Sequence, residues 1–365
     1  MLDITKINKM DQNLIFMRRC FQLARKSDGF TKPNPLVGSV IVYKNRIIGE
    51  GYHRHFGESH AEVNAINSVK DKTLLPQSTL YVSLEPCAHH GKTPPCAQLI
   101  ISKKIPRVVL AVRDPNPKVS GKGIEMLREA NIEVTEGVLE KEALEINKLF
   151  FVNQLNSRPY IILKWAQSRD GYIDINRNPL DSKQPTIISN KLTHTIVHKF
   201  RTRVQGILVG TNTALLDNPQ LTSRKWYGDN PTRIVLDRQN KLPRSLALFD
   251  GTAPTIIFSD NISRKPETIN SVKFIEIDYT VDPINQILSH LYNEKIHSLL
   301  IEGGSKLLSS FILNNMWDEA YIEVSDLELR SGVESPIIQG EIIEVNKYLN
   351  SSQFHLKSKI TRNIL

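Results

Sequence analysis

Two periodicities alternate along the chain. Met10 to Lys26 carries apolar residues at helical spacing, and Leu36 to Tyr43 (LVGSVIVY) is a near-continuous apolar run that predicts a buried strand. Arg46 to Gly51 predicts its hairpin partner across Lys44-Asn45. Helical patterns return at Ser59 to Val69, Pro94 to Ser102, Gly123 to Ala130 and Glu140 to Gln154. Short strand patterns lie between them, at Thr79 to Leu84, Arg107 to Val112 and Glu133 to Glu136. This alternation predicts an α/β layer sandwich. Asn156-Ser157-Arg158-Pro159 interrupts it, because proline keeps the preceding residue out of the helical region. A second α/β unit follows, with strand patterns beginning at Tyr160, Gly206, Arg233, Thr255, Ser298 and Glu319.

Length supports the division. At ~150 residues per domain, 365 residues suffice for two domains, and the break near Gln154–Pro159 gives domains 1–153 and 158–365. Neither internal repeats nor low-complexity tracts occur. No apolar run approaches the ~20 residues of a membrane span, and the opening segment lacks the apolar core of a secretory signal. Three cysteines are no disulfide framework, so a cytoplasmic protein with no membrane partner is expected. The formal charge is +9, with 22 basic against 16 acidic residues up to position 150 and 25 against 22 beyond it. So diffuse an excess suits an anionic small molecule about as well as RNA.

The first unit holds a candidate metal centre. His60 stands at the opening of a predicted helix, Cys87 follows a strand, and Cys96 lies in the first turn of the helix that Pro94 introduces. One imidazole and two thiolates are three zinc ligands with a fourth position open to water, the pattern of catalytic zinc. Zinc lowers the pKa of bound water towards ~7, and Glu62 is placed to move a proton from that water to a leaving amine. Ser59-x-x-Glu62 also fits a helix capping box, which would make Glu62 structural, and both cysteines could be ordinary buried residues. Cys20 is left over and reads as a core residue. His-x-Glu with Pro-Cys resembles the zinc-dependent nucleobase and nucleoside deaminases, whose cysteines are closer together than the eight intervening residues found here.

Four segments in order, TKPNPLVGSVIV (31–42), GYHRHFGESHAE (51–62), LYVSLEPCAHHGKTPPC (80–96) and DPNPKVSGKG (114–123), resemble the deaminase domain of the bifunctional riboflavin-biosynthesis deaminase/reductases. The resemblance implies a cytidine-deaminase-like α/β/α layer sandwich. It implies that Asn34, His53, His89 and Lys92 hold the pyrimidine and that Asp114 and Asn116 hold the ribose. Amides read base edges, carboxylates accept hydroxyl protons and lysine is a point charge for phosphate. Turn chemistry is the competing explanation for Asn34 and Asn116, since both sit in Pro-Asn-Pro.

The second half lacks G-x-G-x-x-G, so a Rossmann fingerprint is absent. Its strand-to-helix passage Leu299–Ser305 (LLIEGGS) could bind phosphate at free helix amides or be a plain turn. With KWAQSRDG (164–171), VHKFR (197–201), GILVGTNTALLDNPQLTSR (206–224) and RIVLD (233–237), it resembles the reductase domain of the same family. That resemblance implies a dihydrofolate-reductase-like α/β domain using NADPH. It implies cofactor contacts at Ala166, Ile187, Thr213, Asp217, Gly304 and Ser305, and substrate contacts at Arg201, Leu221, Arg224 and Glu302. Two departures stand out: Ile187 replaces the family's usual tryptophan, and Pro185 stands where a substrate-binding serine is often found.

These readings imply one polypeptide with two active sites, one zinc per chain, NADPH, a small phosphorylated pyrimidine as substrate, no nucleic acid and a homo-oligomeric assembly. The first site would deaminate 2,5-diamino-6-ribosylamino-4(3H)-pyrimidinone 5′-phosphate and the second would reduce the ribosyl group to ribityl. One rival is a nucleoside or RNA deaminase with an accessory domain; only 7% aromatic residues and the wide cysteine spacing count against it. Others are a deaminase with a degenerate reductase half and a zinc-stabilised binding protein, which would have no need of Glu62.

Overall fold

The computed structural model describes residues 4–88, 94–116, 119–177, 184–261, 271–359 and 361. The chain divides into two compact units, with the boundary between Asn156 and Ser157. Among the described residues no helix is long and apolar enough to cross a membrane.

The first unit runs α1 (Ile4–Ala24), β1 (Gly38–Tyr43), β2 (Arg46–Tyr52), α2 (Ala61–Ser68), β3 (Thr79–Val82), α3 (Cys96–Ser102), β4 (Arg107–Leu110), α4 (Lys122–Glu129), β5 (Glu133–Thr135), α5 (Glu140–Ile146) and α6 (Lys148–Asn156). Lys44 and Asn45 both adopt positive φ, so the β1–β2 hairpin closes in two residues with the handedness that twisted strands favour. The sheet order is β2-β1-β3-β4-β5, with β3, β4 and β5 parallel. The period of two along the strands sorts side chains onto two faces. Ile41, Leu80, Val82, Val108 and Leu110 pack under α2, α3 and α4, while Val40, Val42, Tyr81 and Val109 pack under α1 and α6. Each fully buried Ile, Leu or Val contributes ~1.5–3 kcal/mol, so both faces must be covered and the result is an α/β/α sandwich. Cys20 is fully buried in this core.

Two boundaries differ from the sequence pattern. The helix expected over Glu140 to Gln154 is two helices, because Asn147 turns inward and its amide bonds Leu36 N–H and C=O at 2.8 and 3.0 Å. The helix carrying Cys96 starts at that residue with Pro95 as its cap, rather than at Pro94.

The second unit runs β6 (Tyr160–Gln167), β7 (Tyr172–Asp174), α7 (Lys191–Arg203), β8 (Gly206–Gly210), α8 (Thr211–Asp217), β9 (Thr232–Leu236), β10 (Thr255–Ser259), β11 (Val272–Glu276), α9 (Pro283–Asn293), β12 (Ser298–Glu302), α10 (Ser305–Leu313), β13 (Glu319–Ser325), β14 (Val333–Glu334), β15 (Glu341–Tyr348) and β16 (Ser351–Lys357). Its large sheet has the order β11-β10-β9-β8-β12-β6-β13-β16-β15, parallel from β11 to β13 and antiparallel in the last two strands. One face is apolar: Ile161, Leu163 and Trp165 of β6 join Ile287, Leu291, Leu308 and Phe311 of α9 and α10. The strand order reverses around β6 and β12, so their carboxyl ends open a crevice, the usual ligand position in such sheets. The β15–β16 hairpin carries no strong sequence signal because β15 is an exposed edge strand.

Candidate active sites

In the first unit the site gathers at the carboxyl ends of β3 and β4. His60 caps α2 with extended backbone and no side-chain cap bond, so the Ser59–Glu62 capping box does not form. His60 Nδ1 lies 3.5 Å from Cys87 Sγ and 3.3 Å from Cys96 Sγ, and all three ligand atoms fall within 4.8 Å of one another. Tetrahedral zinc with ordinary Zn–N and Zn–S bonds requires ligand separations of about 3.6 Å, so the donor set fits zinc. Without metal the three groups share protons. The Cys87 thiol is pulled down to about 4, first by the hydrogen bond with Cys96 and then by His60. His60 rises to about 9, chiefly through its hydrogen bond with Cys87, and Cys96 is pushed up by the bond to Cys87 and by burial. A cluster that holds protons this way exchanges them for a divalent cation.

Glu62, in the first turn of α2, is 3% exposed. Burial pushes its carboxyl up to about 7, against the pull of His60. An acid poised there can both take and give a proton at neutral pH. His53 is buried beside the cluster, its ring 5.8 Å from that of His60. Its Nε2 lies 3.1 Å from Asn34 Nδ2 and its Nδ1 3.2 Å from the Ser59 carbonyl, so Asn34 has a hydrogen-bonding role towards His53 as well as its turn. Burial lowers the His53 pKa, which favours the uncharged ring. His89 and Lys92 lie outside the described residues.

Asp114 and Asn116 occupy the loop after β4, where Asp114 Oδ1 accepts from Asn116 N–H at 2.8 Å. Beneath them is a residue that sequence reasoning passed over. Glu85, 4% exposed and two positions before Cys87, accepts four backbone N–H bonds, from Asp114, Gly121, Gly123 and Ile124, at 3.0–3.4 Å. Its only sequence signal was its place inside the LEPC segment.

In the second unit a polar group collects on the sheet face opposite the apolar core. Register pairs Lys164 with Glu302 and Tyr321, placing them on one face, with Glu323 two residues beyond Tyr321. Arg201 of α7 forks onto Glu302, Nη2 to Oε2 at 2.7 Å and Nε to Oε1 at 3.3 Å, and Nη1 donates to the Thr222 carbonyl at 3.0 Å. Burial works to raise Glu302, but Arg201 and then Lys164 outweigh it and hold the carboxyl below its usual range. Burial lowers the Lys164 pKa, opposed by Glu302 and Glu323. Glu323 accepts from Ser189 Oγ at 2.6 Å. Among the described residues, its second oxygen and both nitrogens of buried His198 have no hydrogen-bond partner. Lys164, His198 and Glu323 were not singled out from sequence; the first two lie inside the KWAQSRDG and VHKFR segments.

The remaining expected residues surround this group. Ala166 lies one residue before the end of the same strand as Lys164. Leu221 is buried with positive φ, and Arg224 is exposed with Nη1 3.4 Å from Thr222 Oγ1. Gly303 (φ 103°) and Gly304 (φ 68°) precede Ser305 at the start of α10, which has no side-chain cap. A Cβ on Gly303 would lie 3.1 Å from Thr213 Cγ2. The glycines thus keep a backbone cradle open beside Thr213, and it fits a dinucleotide phosphate. Asp217 is paired with Arg177, which also holds Asp174. Ile187 is 87% exposed.

Comparison with known proteins agrees with both halves. Residues 10–112 match the cytidine and deoxycytidylate deaminase zinc-binding region, and residues 159–331 match the RibD C-terminal domain. The chain is 38% identical over 345 residues to the riboflavin biosynthesis protein RibD of Bacillus amyloliquefaciens, covering 93% of this chain and 91% of that protein. It is 38% identical over 351 residues to RibD of Aquifex aeolicus, covering 93% and 96%. The crystal structure of a diaminohydroxyphosphoribosylaminopyrimidine deaminase/5-amino-6-(5-phosphoribosylamino)uracil reductase from Thermotoga maritima superposes with a TM-score of 0.84 at 37% identity, covering 96% of this chain and 99% of that one. The wide cysteine spacing, the histidine–glutamate pair and the polar sheet face therefore belong together, and the chain is a member of the RibD family of bifunctional riboflavin-biosynthesis enzymes, joining a zinc-binding deaminase unit to a reductase unit that uses a nicotinamide cofactor.

Proposed function

We propose that residues 1–153 deaminate 2,5-diamino-6-ribosylamino-4(3H)-pyrimidinone 5′-phosphate and that residues 158–365 then reduce its ribosyl group to ribityl with NADPH. His60, Cys87 and Cys96 hold one zinc per chain. When bound, the zinc supplies an acidified water and the nicotinamide a hydride. Glu62 would hold a proton at its carboxylate and pass it from the attacking water to the departing amine. Asn34, His53, His89 and Lys92 grip the pyrimidine, and Asp114 and Asn116 the ribose. In the second unit Ala166, Ile187, Thr213, Asp217, Gly304 and Ser305 line the cofactor. Arg201, Leu221, Arg224 and Glu302 would hold the phosphorylated sugar and orient its C1′ for reduction. Alignment and phosphate anchoring carry most of the rate there, because no covalent enzyme intermediate is needed. The substrate is a small molecule; the enzyme works in the cytoplasm as a homo-oligomer, without nucleic acid.

The observation that carries this reading is the three-ligand cluster with a buried carboxylate two residues from His60. The test is to incubate purified protein with the diaminopyrimidine phosphate, with and without NADPH, and separate products by mass. Deaminated product without NADPH and ribityl product with it are expected. Glu62→Gln should keep zinc, lose deamination by several orders of magnitude and still reduce pre-deaminated substrate. Full deamination by that variant, or by metal-free protein, would overturn the mechanism.

A further inference from the structure

We infer that Glu85 is a positioning residue for deamination: it closes the neck of the 114–121 loop and holds Asp114 and Asn116 at a fixed distance from the metal ligand Cys87. The inference rests on the assignment of Asp114 and Asn116 to the substrate ribose.

Glu85 stands between β3 and Cys87, and its carboxylate joins both ends of the loop. Oε2 accepts from Asp114 N–H at 3.2 Å, where the loop leaves β4, and from Gly121 N–H at 3.0 Å, where it returns. Oε1 accepts from Gly123 and Ile124 N–H at 3.0 and 3.4 Å, within the first turn of α4. That helix has Gly121 as its cap and no side-chain cap of its own. Glu85 therefore caps it from 36 residues away in sequence. A helix start favours negative charge and leaves its first amides without helical partners. Four donors converging on one buried group need a carboxylate, since an amide side chain has one acceptor oxygen and would turn an N–H₂ towards the others.

The start of α4 also lies against the residue that precedes the metal ligand. A Cβ on Gly123 would lie 2.0 Å from the Pro86 carbonyl oxygen, so α4 starts against the backbone that leads into Cys87. Asn116 C=O accepts from Val119 and Ser120 N–H at 2.8 Å, which ties Asn116 to the residues just before α4. Glu85 thus reaches substrate only through the backbone that presents Asp114 and Asn116, and its loss should weaken ribose binding more than it slows the chemical step.

The test compares Glu85→Gln with the parent enzyme. KM for the diaminopyrimidine phosphate should rise at least ~tenfold, the effect of losing one or two charge-assisted bonds, with kcat changed less than ~threefold. Zinc should remain bound, reduction of pre-deaminated substrate should be normal, and backbone amides of residues 114–124 should exchange hydrogen faster. Glu85→Asp keeps the charge with a shorter reach, should shift KM in the same direction, and carries the test if Glu85→Gln does not accumulate. Unchanged KM with zinc retained overturns the inference, and so does loss of zinc, which would make Glu85 a support for Cys87. Asp114→Asn and Asn116→Ala separate the two layers of argument. If neither raises KM, the ribose assignment fails; if they raise it and the Glu85 variants do not, only the role of Glu85 fails.

Discussion

Arg201→Ala should destabilise the second unit, and the amount follows from the geometry. The guanidinium is 8% exposed and makes three hydrogen bonds, two to Glu302 and one to the Thr222 carbonyl. Removing one partner of a buried, bidentate pair costs ~3–5 kcal/mol, because the other charge stays buried. Lys164 remains near Glu302 and offsets part of that, so the lower end, ~3 kcal/mol, is expected. For a unit of this size that is a fall of about 6–12 °C in melting temperature. Urea unfolding and calorimetry of Arg201→Ala, Glu302→Gln and the double variant measure it. The double variant should be less destabilised than the sum, with a coupling of ~1.5–3 kcal/mol. Two of the five guanidinium N–H groups remain for substrate phosphate, so reduction should fall as well while deamination persists. Single losses under ~1 kcal/mol and coupling within ~0.5 kcal/mol would refute the reasoning. With a raised KM, that result would make Arg201 a phosphate ligand without a structural role.

Three further outcomes are expected. His198 is pushed down to about 4 by burial and by the charges of Arg201 and Arg224, whereas an unfolded histidine titrates near ~6.5. The unfolded state therefore binds the extra proton first as pH falls, so stability should decrease between ~pH 6.5 and 4 by up to ~3 kcal/mol. Urea unfolding across that range checks this, and His198→Gln should shrink the dependence to the part left by His53, His194 and His297, which burial also lowers; an unchanged slope would count against it. Gly303→Ala places a methyl 3.1 Å from Thr213 Cγ2 at φ 103°, so NADPH affinity measured by calorimetry should drop ~tenfold or more while deamination continues. Ile187 is 87% exposed, so Ile187→Trp should tighten NADPH up to about three- to tenfold rather than clash; weaker binding would contradict that.

The sequence by itself determined the two α/β units and most parallel strands, and it picked out His60, Cys87 and Cys96, which the fold brings together. These are written in local patterns: apolar runs between turn residues, and a histidine, a glutamate and two cysteines whose chemistry has few other uses. The likeness of ordered motifs to one family carried the reaction class. Tertiary structure alone decided which partners the polar residues meet. Ser59 and Glu62 read equally as a capping box until the fold made His60 the cap of a helix that starts at Ala61 and left Glu62 buried beside the cluster. Arg201 read as a free phosphate ligand until β12 brought Glu302 to it across 101 positions. Glu85 carried no signal beyond its place in the LEPC segment, because its four donors come from residues 29–39 positions away. The physical reason is common to all three: periodicity reports which side of an element is apolar, while a buried charge is defined by the donors and counter-charges that folding brings from elsewhere in the chain.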